Sequence, residues 1–168
     1  VNAHYTRSVN LERDCDAPSV VRGYIPTPRA LHTPGRIADT IDEPIGPRAW
    51  SLVGPYGAGK SSFAAFLTHL LGAPDTDNTQ AAMDVLDAAE PNLARRFRPD
   101  ADGEQEHRGH CVAVLTGSPE PFAKRLAAAL AEGAARYWAD RTGRRPDVID
   151  TLRGLGESEQ VPTTELMT

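Results

Sequence analysis

The stretch Gly54-Pro55-Tyr56-Gly57-Ala58-Gly59-Lys60-Ser61-Ser62 constrains this chain more than any other. Three glycines fall at positions 54, 57 and 59, and Lys-Ser-Ser follows the last. Glycine is costly to order and lysine is costly to bury. A ligand that needs bare backbone and a positive charge at one place accounts for both. Glycines let the chain curl so that successive main-chain N–H groups converge on an anion. A helix N-terminus directly behind the curl adds uncapped donors and a favourable dipole. The flanks agree with this reading. Residues 49–54, Ala-Trp-Ser-Leu-Val-Gly, are short and apolar, as expected of a buried parallel strand. After the glycines, Phe63, Phe66, Leu67, Leu70 and Leu71 recur at spacings of three and four, the apolar face of a helix that Gly72 and Pro74 end.

Around this centre the chain reads as follows. Residues 1–48 form an irregular N-terminal arm, interrupted by Pro18, Pro26, Pro28, Pro34, Pro44 and Pro47. Within it, residues 20–26 suggest a short extended piece and residues 36–42 one or two helical turns. Residues 80–90 predict a helix with Met83 and Leu86 inward, and Pro91 opens a short one carrying Leu93 and Phe97. Residues 98–110 are polar and loop-like. Cys111–Gly117 is a second strand candidate. Ser118 and Pro119 then cap and open a helix with Phe122, Leu126, Leu130, Gly133 and Tyr137 along one face, running to about Asp140. The tail after Arg153 is expected to be loose. Strand, glycine loop, helix, helical insert, strand, helix is the order of an α/β fold, a parallel sheet flanked by helices. Two strands are few, so the sheet is expected to be incomplete. The implied divisions are the arm over 1–48, an α/β core over 49–152 and a flexible tail over 153–168.

The bulk properties narrow the partners. The chain has 168 residues, 40% hydrophobic and 24% charged, which fits one water-exposed globular domain. Its net charge of -5 does not indicate a nucleic-acid partner. No apolar run approaches the roughly 20 residues of a membrane helix, and the first residues lack the apolar core of a signal peptide. A cytoplasmic protein without a membrane partner is expected. Cys15 and Cys111 make no disulfide framework and read as reduced thiols. The abundance of Ala, Arg, Gly and Pro suggests a GC-rich bacterial genome.

Gly54 to Ser61 satisfies the pattern G-x-x-x-x-G-K-[ST] at every fixed position. On that pattern Lys60 reaches the β- and γ-phosphates of a nucleoside triphosphate, the Ser61 hydroxyl coordinates Mg²⁺, and Ser62 meets the α-phosphate. The loop resembles the Walker A motif of the P-loop NTPase superfamily, over residues 49–72. With the upstream segment Arg22-Gly23-Tyr24-Ile25-Pro26-Thr27-Pro28-Arg29-Ala30-Leu31, the chain looks like the N-terminal part of a larger AAA-like bacterial ATP-binding protein. The resemblance implies ATP and Mg²⁺ as cofactors and Lys60 as the catalytic charge. It also implies binding by Gly54, Pro55, Tyr56, Gly57, Ala58, Gly59, Lys60, Ser61 and Ser62, and adenine contacts from Tyr24, Ile25 and Pro26. ATP is preferred to GTP, because residues 100–103 (Asp-Ala-Asp-Gly) lack a preceding apolar strand and no N-K-x-D motif is present.

The departures from the family pattern matter as much. ATP hydrolysis in that family needs a second acidic site at a strand end. Residues 146–150, ending at Asp150, are the nearest approach, and the run ending Thr116-Gly117-Ser118 carries no carboxylate. Arg95, Arg96, Arg98, Arg141, Arg144 and Arg145 read as solvated surface, so no arginine finger is assigned. Three readings stay open: the front part of a Mg²⁺-dependent ATPase in a larger assembly, a nucleotide-dependent binding module or switch without hydrolysis, and a small P-loop kinase with Asp75 or Asp77 near the acceptor. His107, His110 and Cys111 match no zinc spacing. Cys15 sits in an acidic arm where nothing lowers its thiol pKa.

Overall fold

The computed structural model describes residues 9–41, 45–74, 76–98, 109–139 and 145–158. Among these residues there are eight helices and no β-strand. The chain divides into two compact units, Val1–Gly109 and His110–Thr168.

In the first unit, prolines start helices. The four-residue α1 (Leu11–Asp14) is capped by Asn10, whose side chain accepts from the Arg13 N–H at 3.1 Å. The Asn10 N–H in turn donates to the Asp14 carboxylate at 2.9 Å. That bond, together with the adjacent Arg13 guanidinium, holds the Asp14 carboxyl below its ordinary range. Helix α2 (Pro18–Arg22) has proline in its first turn, where the missing N–H costs nothing. Helix α3 (Pro28–Ile41) begins beneath Thr27, whose hydroxyl accepts from the Ala30 N–H, and runs through a buried Pro34. Helix α4 (Lys60–Leu71) follows the glycines and ends at Gly72. Thr76 caps α5 (Asp77–Ala89), and Pro91 opens α6 (Pro91–Phe97).

These helices share one core. Phe63, Phe66 and Leu70 of α4 meet Val21 of α2, Ala38 of α3, Met83 and Leu86 of α5, and Leu93 and Phe97 of α6. Phe66 and Leu86 are fully buried. Each such side chain contributes about 1.5–3 kcal/mol by leaving water. The Tyr24 ring stacks on Phe66 at 4.7 Å between centroids. Burial there pushes the Tyr24 hydroxyl up from 10.0 to about 12. The core thus immobilises α4, and α4 fixes the end of the glycine segment.

The second unit is a helical hairpin preceded by an irregular run, residues 110–121. Helices α7 (Phe122–Trp138) and α8 (Val148–Glu157) pack together, with Ile149 fully buried. A Cβ at Gly156 would lie 2.9 Å from the Ala128 Cβ, so this crossing needs a glycine. A Cβ at Gly133 would lie 2.5 Å from the Val112 carbonyl oxygen, so the run before α7 lies directly on that helix there.

This architecture corrects the α/β expectation. Residues 49–54 and 111–117 belong to neither a helix nor a strand. A strand exists only through its pairing with a neighbour, and among the described residues neither run has one. Val53 is 88% exposed, the opposite of a buried parallel strand. The arm over 1–48 is also corrected: α1, α2 and α3 occupy much of it, and α3 passes through Pro34 instead of starting after it. Helix α8 carries the chain through Arg153 to Glu157, where a loose tail was expected. No helix among the described residues is long and apolar enough to cross a membrane.

Candidate anion-binding bend at residues 54–62

The nine expected site residues are one continuous segment, a bend up to Gly59 followed by the first three residues of α4. Gly57 and Gly59 lie in the left-handed region, with φ of 79° and 77°. Side chains rarely adopt that conformation, which is the local reason for glycine at both places. The Ala58 N–H donates to the Pro55 carbonyl at 3.3 Å and closes a four-residue turn. Gly59 is the N-cap of α4 and supplies no side-chain cap. The donors of the first helical turn are therefore left for another acceptor.

Lys60 closes the bend from inside. Its ammonium donates to the Gly54 carbonyl at 2.9 Å and to the Pro55 carbonyl at 2.7 Å. An ammonium has three protons, so two hold the chain and one stays available to an anion. No neighbouring group fills the space a Cβ would take at Gly57 or Gly59, and residues 51–59 are exposed throughout. The bend is curled and open to an entering ligand. Ser61 and Ser62 follow in the first turn of α4, half-buried. Tyr56, at the tip, is 93% exposed. Upstream, the Arg36 guanidinium of α3 stacks 4.7 Å from the Trp50 ring centroid and ties the lead-in to that helix.

Comparison with known proteins finds no matching family model, no similar curated protein and no similar solved structure. The chain therefore gains no family from its motif. Membership of the P-loop NTPase superfamily is overturned by the helical architecture, since that fold sets its loop between a sheet strand and a helix. The Walker A and ATPase labels fall with it. What remains is the local geometry of a glycine bend on a helix N-terminus.

The other sequence-based candidates scatter. Tyr24 is packed on Phe63 and Phe66, while Ile25 is exposed. Asp150 lies on α8, not at a strand end, and pairs with Arg145 and with Arg153 at 3.2 Å. Arg96 pairs with Asp39 at 2.7 Å and Arg98 with Asp87 at 3.3 Å, as surface ion pairs. Ser118 accepts from the Glu120 N–H at 3.2 Å, but α7 starts only at Phe122. Asp77 is an exposed first residue of α5. Asp75, residues 100–103, His107, Arg141 and Arg144 lie outside the described residues.

Sequence reasoning missed one group of potential ligands. Cys15, Asp16 and His69 offer ligand atoms that all lie within 4.8 Å of one another. Fifty-four positions separate Cys15 from His69, so no spacing rule finds them. The only sequence signal was the presence of the three residue types.

Proposed function

We propose that this chain binds a nucleoside triphosphate, ATP with Mg²⁺, through the bend from Gly54 to Ser62. The observation that carries this reading is the Lys60 ammonium bridging the Gly54 and Pro55 carbonyls beside uncapped helix donors. An array of main-chain donors and one fixed positive charge suits the terminal phosphates of a polyphosphate. In this reading the N–H groups following Gly57 hold the β-phosphate and Lys60 turns its third proton to the γ-phosphate. In the same reading the Ser61 hydroxyl joins the Mg²⁺ shell. The proposed activity is binding.

The test is a titration of the full chain with a fluorescent ATP analogue and Mg²⁺. Lys60→Ala is expected to weaken binding at least about tenfold, about 1.4 kcal/mol. Competition by inorganic pyrophosphate is expected, because the phosphates carry the recognition. Equal affinity of the wild type and Lys60→Ala would remove the assignment. Phosphate release measured on the same samples reports whether bound ATP turns over.

A further inference from the structure

Helices α1 and α4 bring together three side chains of different chemistry, away from the glycine bend. Cys15 is the C-cap of α1 and only 2% exposed. His69, in the last turn of α4, is also buried. Asp16 is exposed and forms the outer wall of the group. The three ligand atoms lie within 4.8 Å of one another. His69 Nε2 stands 3.7 Å from the Asp16 carboxylate and donates to the Cys15 carbonyl at 2.8 Å.

Hydrogen bonds hold the backbone that carries these groups. The Cys15 N–H donates to the Leu11 carbonyl at 3.1 Å. The Asn78 amide donates to the Asp16 carbonyl at 3.0 Å, and the Thr79 hydroxyl shares its proton between the His69 carbonyl at 3.0 Å and the Ala73 carbonyl at 2.8 Å. Ligands held in place in this way need little ordering when an ion arrives.

We propose that Cys15, Asp16 and His69 form a binding site for a divalent cation of the zinc class, with water completing the coordination shell. Tetrahedral zinc places nitrogen and oxygen ligands about 3.4 Å apart and sulfur and nitrogen about 3.6 Å apart. The observed spread of 4.8 Å closes to those values with shifts of about 1 Å. Thiolate, imidazole and carboxylate together select a borderline ion over Mg²⁺ or Ca²⁺, which prefer oxygen alone. The charges balance as well. Cys15 releases its thiol proton to solvent, so two anionic ligands meet a dication and no net charge is buried. His69 exchanges its bond to the Cys15 carbonyl for one to the ion by a change of tautomer. The exposed Asp16 leaves an entry path from water.

Cobalt(II) titration of the reduced full chain tests the site. The expected result is one equivalent bound, with a near-ultraviolet thiolate-to-cobalt charge-transfer band that zinc displaces. Cys15→Ser is expected to abolish the band and Cys111→Ser to leave it. Asp16→Asn, at an exposed position, is expected to keep the fold and weaken the metal by at least about tenfold. It decides the matter if Cys15→Ser fails to fold. A folded wild type without the band, a band that depends on Cys111, or unchanged affinity in Asp16→Asn would overturn the proposal.

Discussion

Residues 49–54 and 111–117 are alike in sequence and differ in surroundings. Each is a short apolar run that ends in glycine ahead of a helix. In the first, Val53 projects into water, and the run is held near its start by Arg36 on Trp50. In the second, residues 112–116 are half-buried, and the Val112 carbonyl lies where any side chain at Gly133 would collide. The difference shows that apolar content alone does not set how a run is buried; the neighbour decides that. The first run gains its place from the helices that follow and precede it, the second from direct contact with α7.

The comparison is testable by removing what holds each run. Phe66→Ala empties the core behind α4, on which the first run depends, and is expected to cost about 3–5 kcal/mol in urea denaturation. A loss below about 1 kcal/mol would mean that α4 is not anchored as described. Gly133→Ala drives a Cβ against the Val112 carbonyl and is expected to cost about 1–3 kcal/mol. A neutral result would mean that the second run moves away from α7 freely, and the contrast between the runs would vanish.

Tyr24 gives a smaller, pH-dependent reading of the core behind the first run. Its folded pKa of about 12 lies above the ordinary 10.0. Its share of stability is therefore complete below pH 10 and is lost as pH rises towards 12. The expected loss is about 1 kcal/mol, allowing for partial contact with water. Tyr24→Phe should not show that share, so wild type and variant stability curves that stay parallel above pH 10 would contradict the packing. The smallest effect is expected for Val53→Ser, within about 0.5 kcal/mol, because this side chain packs on little. A clear destabilisation would mean that the first run is covered after all.

The helices around the core were largely legible. The spacing of Phe63, Phe66 and Leu70 marked α4, Gly72 marked its end, and Pro91 marked the start of α6. Met83 and Leu86 point inward as expected, and Leu93 and Phe97 on the helix that Pro91 opens are buried too. Other parts were not legible for physical reasons. Prolines 18 and 28 were read as interruptions, although the first turn of a helix has no use for the missing N–H. The two apolar runs looked like strands because composition cannot report whether a pairing partner exists. On α7, Leu126 and Leu130 share the expected stripe with the buried Gly133 yet stay partly exposed, since glycine marks the closest approach. The composition of the bend was plain from sequence, but the Lys60 contacts to Gly54 and Pro55 needed coordinates. The meeting of Cys15 with His69 depends on how α1 docks on α4, which no local pattern encodes.

The clasp made by Lys60 has a consequence for timing. On the proposed reading, a bend that Lys60 already ties to the Gly54 and Pro55 carbonyls asks little further loss of chain freedom when phosphate arrives. Filling should then be governed by diffusion and by the exchange of water for phosphate oxygens, without a slow ordering phase. Stopped-flow traces with a single exponential whose rate climbs linearly with guest concentration are the signature of such a ready-made receptacle.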